Sequence, residues 1–134
     1  MANFIPMLID ASASEFGTLR AHLARANAQL ADLAQVAECL VVFQSPQAYI
    51  TPGWYATKHE TGKVVPTWNY ATVHAWGRPT VRDDPAWIRQ QIHDLTAHQE
   101  HAQAAPWAVS DAPEAFIDAQ VRGIVGVEIV ITSE

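Results

Sequence analysis

The hydrophobic residues of this chain are grouped in short runs, and this grouping limits the folds that are open to it. The runs "CLVVFQ" at 39–44 and "GVEIVIT" at 126–132 are rich in β-branched residues, and "GTLRAHLA" at 17–24 alternates apolar and polar side chains. Runs of this length and composition are typical of strands. They do not alternate regularly with helical segments, as they would in a parallel α/β protein. The sequence therefore predicts a mainly β fold, with antiparallel strands and peripheral helices.

Three helices are expected around these strands. Asn27 is suited to cap a short helix over 28–36, because its side chain can accept a free N–H group of the first turn. Asp84 has the same capacity and is followed by a proline, a residue that the first helical turn tolerates. Asp111 and Glu114 have the spacing of a capping box, with Asp in place of the usual Ser or Thr. The third helix is therefore expected to start there.

Length and charge restrict the function. The 134 residues fit one domain, 1–134, and no apolar stretch reaches the roughly 20 residues that span a bilayer. The net charge of −6, from 8 Lys and Arg against 14 Asp and Glu, predicts repulsion from polyphosphates and from anionic membranes. Cys39 is the only cysteine, which suits a reducing compartment. We therefore expect a cytoplasmic protein that binds neither nucleic acid directly nor a membrane.

The first candidate site is the segment "HLARAN" at 22–27. It places His22 and Arg25 at the end of a predicted strand, just before the helix that Asn27 caps. A guanidinium forks onto phosphate oxygens, and free N–H groups at a helix start also favour an anion. The segment is therefore a candidate phosphate cradle. The alternative is a surface arginine beside an ordinary helix cap.

The second candidate site is the segment "KVVPTWNYATVHAWG" at 63–77, which combines strand-like composition with hydrogen-bonding aromatic residues. Pro66 removes a ladder donor and marks a strand edge or bulge. Thr67, Trp68 and Asn69 follow it, and Lys63 precedes it with a positive charge. A flat heteroaromatic ring would use an apolar face for stacking and a few polar groups for orientation. The alternative is a tryptophan-rich core.

The second predicted helix carries three side chains with the spacing of metal ligands. Asp94, His98 and His101 recur at i, i+4 and i+7 and so share one side of it. We interpret them as a solvated helix face, because no fourth ligand and no HExxH pattern accompany them. The sequence also contains no GxSxG, GxGxxG or GxxxxGK[ST] motif. A hydrolase elbow and the usual nucleotide loops are therefore not indicated.

Several segments, taken together, resemble the successive signature blocks of the PaiB family, described as FMN-binding negative transcriptional regulators. They are "LRAHLARAN", "VVFQSPQAYITPGWYATK", "GKVVPTWNYATVHAWGRPTVRDDPAW", "LTAHQE", "PWAVSDAPEAFI" and "IVGVEIVIT". The resemblance runs through nearly the whole chain in order. It implies a six-stranded antiparallel Greek-key barrel of the FMN-binding split-barrel type, usually a homodimer with FMN held between protomers.

The resemblance also implies roles for individual residues. Arg25 with Asn27 would lie near the FMN phosphate, with His22 on the strand that leads to them. The flavin ring or its ribityl chain would contact a second set, namely Lys63, Thr67, Trp68 and Asn69. No catalytic residue is implied.

The chain departs from the family pattern in places. Family members usually read Gly-His at Ala21-His22, Asn-His at Asn3-Phe4, and Ser-Pro-Ser-Trp-Tyr at 51–55. The first family strand with its helix, before Asn3, and a "GKWKxSQN"-like segment after the last strand have no counterpart. We therefore expect a single split-barrel domain, 1–134, that is truncated at both ends relative to the family.

Three functions remain open at this point. The first is a negative transcriptional regulator that acts through flavin binding or dimer state. The second is an FMN-dependent oxidoreductase of the split-barrel type, in which the cofactor carries hydride or electrons. The third is a haem-binding split barrel, with His22 or His74 as axial ligand.

Overall fold

The computed structural model describes residues 2–134 and contains a five-stranded sheet and a separate two-stranded ladder. The strands are β1 (Leu8–Asp10), β2 (Thr18–Ala24), β3 (Cys39–Gln44), β4 (Ala48–Ile50), β5 (Thr67–Asn69), β6 (Thr72–Arg82) and β7 (Ile124–Ser133). The helices are α1 (Gln29–Leu33), α2 (Thr57–Glu60), α3 (Pro85–Glu100) and α4 (Glu114–Arg122). The large sheet has the order β1-β2-β7-β6-β3, and β4 pairs with β5. All strand pairs are antiparallel.

The mainly β fold with peripheral helices is confirmed. It is consistent with a split barrel, but the barrel is not closed, since β1 and β3 form the two edges of the large sheet. Helices long and apolar enough to cross a bilayer are absent from residues 2–134.

The main hydrophobic core lies on the inner face of the large sheet. Its buried residues are Leu19, Leu23, Ala75, Val127, Ile129 and Ile131. Leu30 and Leu33 of α1 pack against them, together with Ile5 and Met7 from the N-terminal segment. Cys39 also packs there, half-buried, and burial, assisted by the charge of Glu38, raises the pKa of its thiol. Cys39 is therefore a half-buried free thiol beside the core.

The outer face of the sheet is covered by α3 only over β2 and β7. Arg20 and His22 point to this face, since they alternate with the core residues of β2. Arg20 Nη1 donates to Asp94 Oδ2 of α3 at 3.0 Å, and His22 Nδ1 lies 2.7 Å from Gln91 Oε1. A second cluster, formed by Ile88, Ile117 and Val121, joins α3 to α4.

β6 joins the two halves of the sheet, because it has a different neighbour over each part of its length. Residues 72–77 pair with β3, and residues 76–82 pair with β7. The register shifts between Trp76 and Gly77. At about 3.3 Å per residue, this strand of 11 residues spans about 33 Å. Its two ends are therefore far apart in the molecule.

The predicted helix starts agree only in part with the structure. Asp84 caps α3 as expected and accepts the N–H of Ala86 at 3.0 Å. Asn27 accepts the N–H of Gln29 at 3.0 Å, but α1 ends at Leu33, before the predicted end at residue 36. The prediction of a capping box at Asp111 is wrong, because α4 begins after Pro113. Asp111 instead accepts the N–H of Ala108.

The segment 63–77, which has strand-like composition, is not one strand in the structure. The chain instead breaks at Tyr70 and Ala71, and β6 runs through Pro79 without interruption. Pro79 lies opposite Ile129 in the register and keeps the inward alternation.

Gly126 is required where α3 approaches β7. A Cβ atom at this position would overlap the indole ring of Trp87 and would lie 3.0 Å from the carbonyl oxygen of Arg82. We expect Gly126→Ala to lower the free energy of unfolding by about 1–3 kcal/mol, the usual cost of overpacking. Urea unfolding measures this.

The matched control is Gly53→Ala, because only the side chain of Thr51 lies within 4 Å of the added Cβ, at 3.4 Å or more. We expect a change within about 0.5 kcal/mol for this control. Equal effects of the two substitutions would show that the contact between Trp87 and Gly126 does not constrain the fold.

Candidate functional site

The predicted site residues fall into two groups, and the first is the strand-end group, which we define as His22, Arg25 and Asn27. All three lie at or just after the end of β2. His22 is half-buried beneath α3 with Nδ1 against Gln91, and Asn27 accepts the N–H of Gln29. Two members of the group thus already have partners within the chain.

Arg25 is the most heavily bonded member of this group. Its Nη1 and Nη2 donate to the two carboxylate oxygens of Asp83, each at 2.7 Å. Its Nε donates to the carbonyl oxygen of Arg122 at 2.9 Å, and Nη2 also donates to that of Ile124 at 3.2 Å. The guanidinium therefore ties the end of β2 to the end of β6 and to the α4–β7 junction. A phosphate at this position would have to displace Asp83.

The charges of this pair are mutually stabilised. Hydrogen bonding from Arg25 lowers the pKa of Asp83, and hydrogen bonding to Asp83 raises the pKa of Arg25. Both side chains are about half exposed, so solvent screens the attraction. The pair is charged at neutral pH and holds its geometry through the bidentate contact.

The second group lies in a segment that we call the arm, residues 45–71. The arm contains the β4–β5 ladder, a 3-10 turn at Pro52–Trp54 and the short helix α2. None of its residues is buried, and its strands pair with each other and not with the large sheet. A two-stranded ladder alone is marginally stable in water. The arm therefore exposes a large aromatic and aliphatic surface.

Trp68 lies on one face of the arm, directly opposite Tyr49 in the register. The two ring centroids are 6.2 Å apart and the rings are tilted by 54°, within the range of aromatic pairs. Trp68 Nε1 donates to Gln47 Oε1 at 2.8 Å, and the residue is 55% exposed. The indole is therefore oriented by the arm while most of its surface stays accessible.

The other arm residues of the predicted site have unoccupied polar groups. The side chains of Thr67 and Asn69 form no hydrogen bond within residues 2–134, and the ammonium of Lys63 has no carboxylate partner there. Thr67 and Asn69 alternate with Trp68 and so point to the opposite face of β5. A flat ring that lies on one face of the arm contacts Trp68 or the Thr67–Asn69 pair, but not both.

The structure does not bring the two groups together within one chain. Arg25 contacts Asp83, which directly follows β6, whereas the arm joins β6 at its first residue, Thr72. The groups are thus attached to opposite ends of a strand that spans about 33 Å.

Sequence reasoning missed a third set of exposed side chains, which we call the outer strip. It consists of His74, Trp76 and Arg78 on β6 with Leu40 and Val42 on β3. Leu40 pairs with Trp76 and Val42 pairs with His74, and their opposite neighbours Val41 and Ala75 face the core. The signal was available in the alternation of "HAWGR", but without the pairing of β3 its solvent exposure was not evident.

Two of the three α3 side chains with metal-ligand spacing, Asp94 and His101, contact neighbouring groups of the chain. Asp94 accepts from Arg20 and Gln90, and His101 Nδ1 lies 2.6 Å from the carbonyl oxygen of His98. Within residues 2–134, no group of three or more His, Cys, Asp or Glu side chains is placed to hold a metal ion.

Comparison with known protein families assigns this chain to one of them. The family model described as "Putative FMN-binding domain" matches residues 1–133. The chain belongs to this PaiB-like family. The resemblance of its sequence blocks to PaiB is thereby confirmed.

The curated relatives are longer than this chain. An uncharacterised protein of Aspergillus fumigatus is 37% identical over 84% of this chain and 56% of its own length. An uncharacterised protein of Saccharomyces cerevisiae is 42% identical over 73% of this chain and 59% of its own length. Protease synthase and sporulation protein PAI 2 of Bacillus subtilis is 29% identical over 81% of this chain and 49% of its own length. The chain thus spans between about half and three fifths of these relatives.

The chemistry of the arm fits the cofactor of this family, whereas the strand-end group fits it less well. A flavin offers an aromatic face, polar ring edges, a hydroxylated chain and a phosphate dianion. The exposed rings of Tyr49 and Trp68, the unpaired polar side chains on β5 and the unpaired Lys63 match those features. Arg25 has the right charge for the phosphate but is bound to Asp83. Its predicted role stays a prediction.

The Arg25–Asp83 pair gives the stability of the protein a defined pH dependence. Because the folded-state pKa of Asp83 is lowered, its contribution is present above the ordinary aspartate pKa of about 3.9 and is lost as the pH falls through the lower value. We expect Asp83→Asn to unfold at lower urea concentration than the parent at pH 7. The difference between them should shrink towards pH 2.

Asp32→Asn is the control, since the Asp32 carboxylate has no ion pair within residues 2–134. It should leave the urea midpoint nearly unchanged at both pH values. An Asp83→Asn deficit of constant size across this pH range would contradict the stabilising role of the ion pair.

Proposed function

We propose that this chain is an FMN-binding protein that holds the flavin against the aromatic surface of its arm. The observation that carries the proposal is the accessible Tyr49–Trp68 pair, within a chain that matches an FMN-binding family over nearly its full length. A contiguous exposed apolar patch marks an interaction or ligand-binding surface. A planar ligand would cover it.

The arm supplies an apolar contact and a positive charge for the ligand. Trp68 provides the apolar face, held in position by its bond to Gln47, and Lys63 provides the charge on the segment that leads into β5. Thr67 and Asn69 provide a hydroxyl and an amide on the opposite face of β5, which a ring stacked on Trp68 does not contact. When bound, the flavin would supply hydride and electron transfer chemistry. The residues of the chain bind and orient it.

A homodimer is part of the proposal, because the arm does not bury its own apolar surface. Trp54 is 72% exposed and Val65 is 73% exposed, in addition to the aromatic pair. A second copy would cover this surface across a two-fold axis. It would also let the arm of one protomer approach the strand-end group of its partner. In such a dimer, the flavin on one arm would contact the strand-end group (His22, Arg25 and Asn27) of the other protomer. A single chain does not allow this contact.

For the biological role we favour regulation through flavin binding or dimer state. The name of the Bacillus subtilis relative refers to protease synthesis and sporulation. Direct DNA contact is not proposed, since four of the eight basic residues are in ion pairs with carboxylates and the net charge is −6. A salt-sensitive shift of promoter DNA by the purified protein would contradict this view.

Haem is the alternative ligand, and the histidines named for it differ in their surroundings. His22 is held through Nδ1 by Gln91 beneath α3, whereas His74 is exposed on β6. An absorbance spectrum of the purified protein distinguishes the two cofactors. We expect a flavin spectrum and no Soret band.

Removing the indole of Trp68 tests the arm as the flavin wall. We expect the unmutated chain to bind FMN and riboflavin, and Trp68→Ala to weaken both by at least about threefold, the equivalent of one lost aromatic contact. Titration followed by flavin fluorescence measures the affinities. Trp107→Ala is the matched control, because Trp107 is also half exposed but lies outside the arm. Equal affinities for all three proteins would refute the role of Trp68.

Introducing a charge on the arm tests the dimer. We expect the parent to sediment as a dimer at micromolar concentration and Trp54→Glu to sediment as a monomer, because a carboxylate would be desolvated in the interface. Trp107→Glu should remain dimeric. A parent that is strictly monomeric would remove the dimer from the proposal.

A further inference from the structure

We propose that the outer strip is the floor of the flavin site and that Arg78 is the residue that reads the phosphate. This inference rests on the proposed FMN binding and adds to it a second binding surface, on the large sheet, together with the side chain that distinguishes FMN from riboflavin.

The strip has the dimensions and composition of a platform for a flat ring. His74, Trp76 and Arg78 follow one another on the outer face of β6 at intervals of about 7 Å. Leu40 and Val42 lie beside Trp76 and His74 in direct register, so their Cβ atoms are about 5 Å away. Trp76 is 43% exposed and Val42 is 52% exposed. The strip thus offers an indole and two aliphatic side chains on a rigid sheet that α3 does not cover.

Charge favours Arg78 as the phosphate contact. Arg20, Arg25, Arg82 and Arg89 are each paired with a carboxylate. Arg78 has no such partner within residues 2–134, although it belongs to an acidic protein. An anion can therefore bind Arg78 without displacing another group, whereas at Arg25 it must compete with a bidentate aspartate. The occupant that this combination fits is a planar aromatic molecule with a terminal phosphate.

The backbone beside the strip is also available. β7 begins to pair with β6 at Trp76, so residues 72–75 have a neighbour on the β3 side only. Among the described residues, the N–H and C=O groups on their other side have no strand partner, so these groups can meet polar atoms of a ring edge. The arm leaves the sheet immediately before Thr72, and Trp68 can therefore form a wall next to this floor.

The decisive comparison is between three arginines. FMN and riboflavin are titrated in parallel into the full chain and into Arg78→Gln, Arg25→Gln and Arg122→Gln, with folding checked by urea unfolding. Arg122 is the matched control, since its guanidinium is exposed and also has no carboxylate partner within the described residues. We expect Arg78→Gln to weaken FMN binding about tenfold or more, as for the loss of a charge-assisted bond, and to leave riboflavin binding unchanged. Arg122→Gln should change neither.

Two further variants define the rest of the site. Arg78→Lys should restore much of the preference for FMN, because it keeps the charge, and this result is independent of any folding defect in the glutamine variant. Trp76→Ala should weaken FMN and riboflavin alike and should leave the sedimentation of the flavin-free protein unchanged.

Several results would overturn the inference. A selective loss of FMN in Arg25→Gln and none in Arg78→Gln would assign the phosphate to the strand-end group. A Trp76→Ala protein that becomes monomeric but keeps its flavin affinity would show that the outer strip binds a second copy of the chain. Absence of binding of either flavin by the unmutated chain is a different result, since it removes the proposed function itself together with the floor.

Discussion

The staggered pairing of β6 is the constraint on which the rest of the structure depends. β6 uses β3 as its neighbour over its first half and β7 over its second half, with the change at Trp76 and Gly77. Gly77 permits it, because a Cβ there would lie 2.5 Å from Ile129 and 2.7 Å from the carbonyl oxygen of Val130. The second half consequently has β7 as its neighbour, and α3 packs over β7. The first half keeps its outer face and one backbone edge open. One strand thus has one half beside β7, against which α3 packs, and another half whose outer face stays open.

The difference between the two halves of β6 explains why this strand carries polar and aromatic side chains at positions where aliphatic residues would pack more simply. On the covered half, Arg82 pairs with Glu128 at 2.6 Å and Arg25 closes the end of the sheet through Asp83. These bonds join the end of β6 to β7 and to the residue that follows β2. On the open half no such pairing occurs, and Trp76 and His74 face solvent. The sequence pattern is similar in both halves, but their surroundings differ. Within residues 2–134, residues 72–75 pair with β3 alone, whereas the second half pairs with β7.

The strands and one helix start were predictable, because local signals determine them. β2, β3 and β7 follow from alternation and β-branched composition, and α3 follows from Asp84. The break at Tyr70 and Ala71 was not predictable, since it depends on how the arm leaves the sheet. The surroundings of Arg25 were also not predictable from the sequence, because its partner Asp83 is 58 residues away. A short motif identifies a residue that is able to bind an anion, but it does not show whether the chain itself already provides one.

The remaining charges show which end of the molecule is able to attract an anion. Once the four ion-paired arginines are set aside, the cations without a carboxylate partner in the described residues are Lys58, Lys63, Arg78 and Arg122. Lys58 and Lys63 belong to the arm, and Arg78 lies on β6 only two residues beyond Trp76. Arg122 alone lies at the opposite end, beside Arg25. In a protein with a net charge of −6, unpaired positive charge is the scarce feature, and most of it is located next to the exposed aromatic residues. The proposed phosphate contact and the proposed ring contact are therefore neighbours on β6, where Arg78 and Trp76 lie on the same face of the strand.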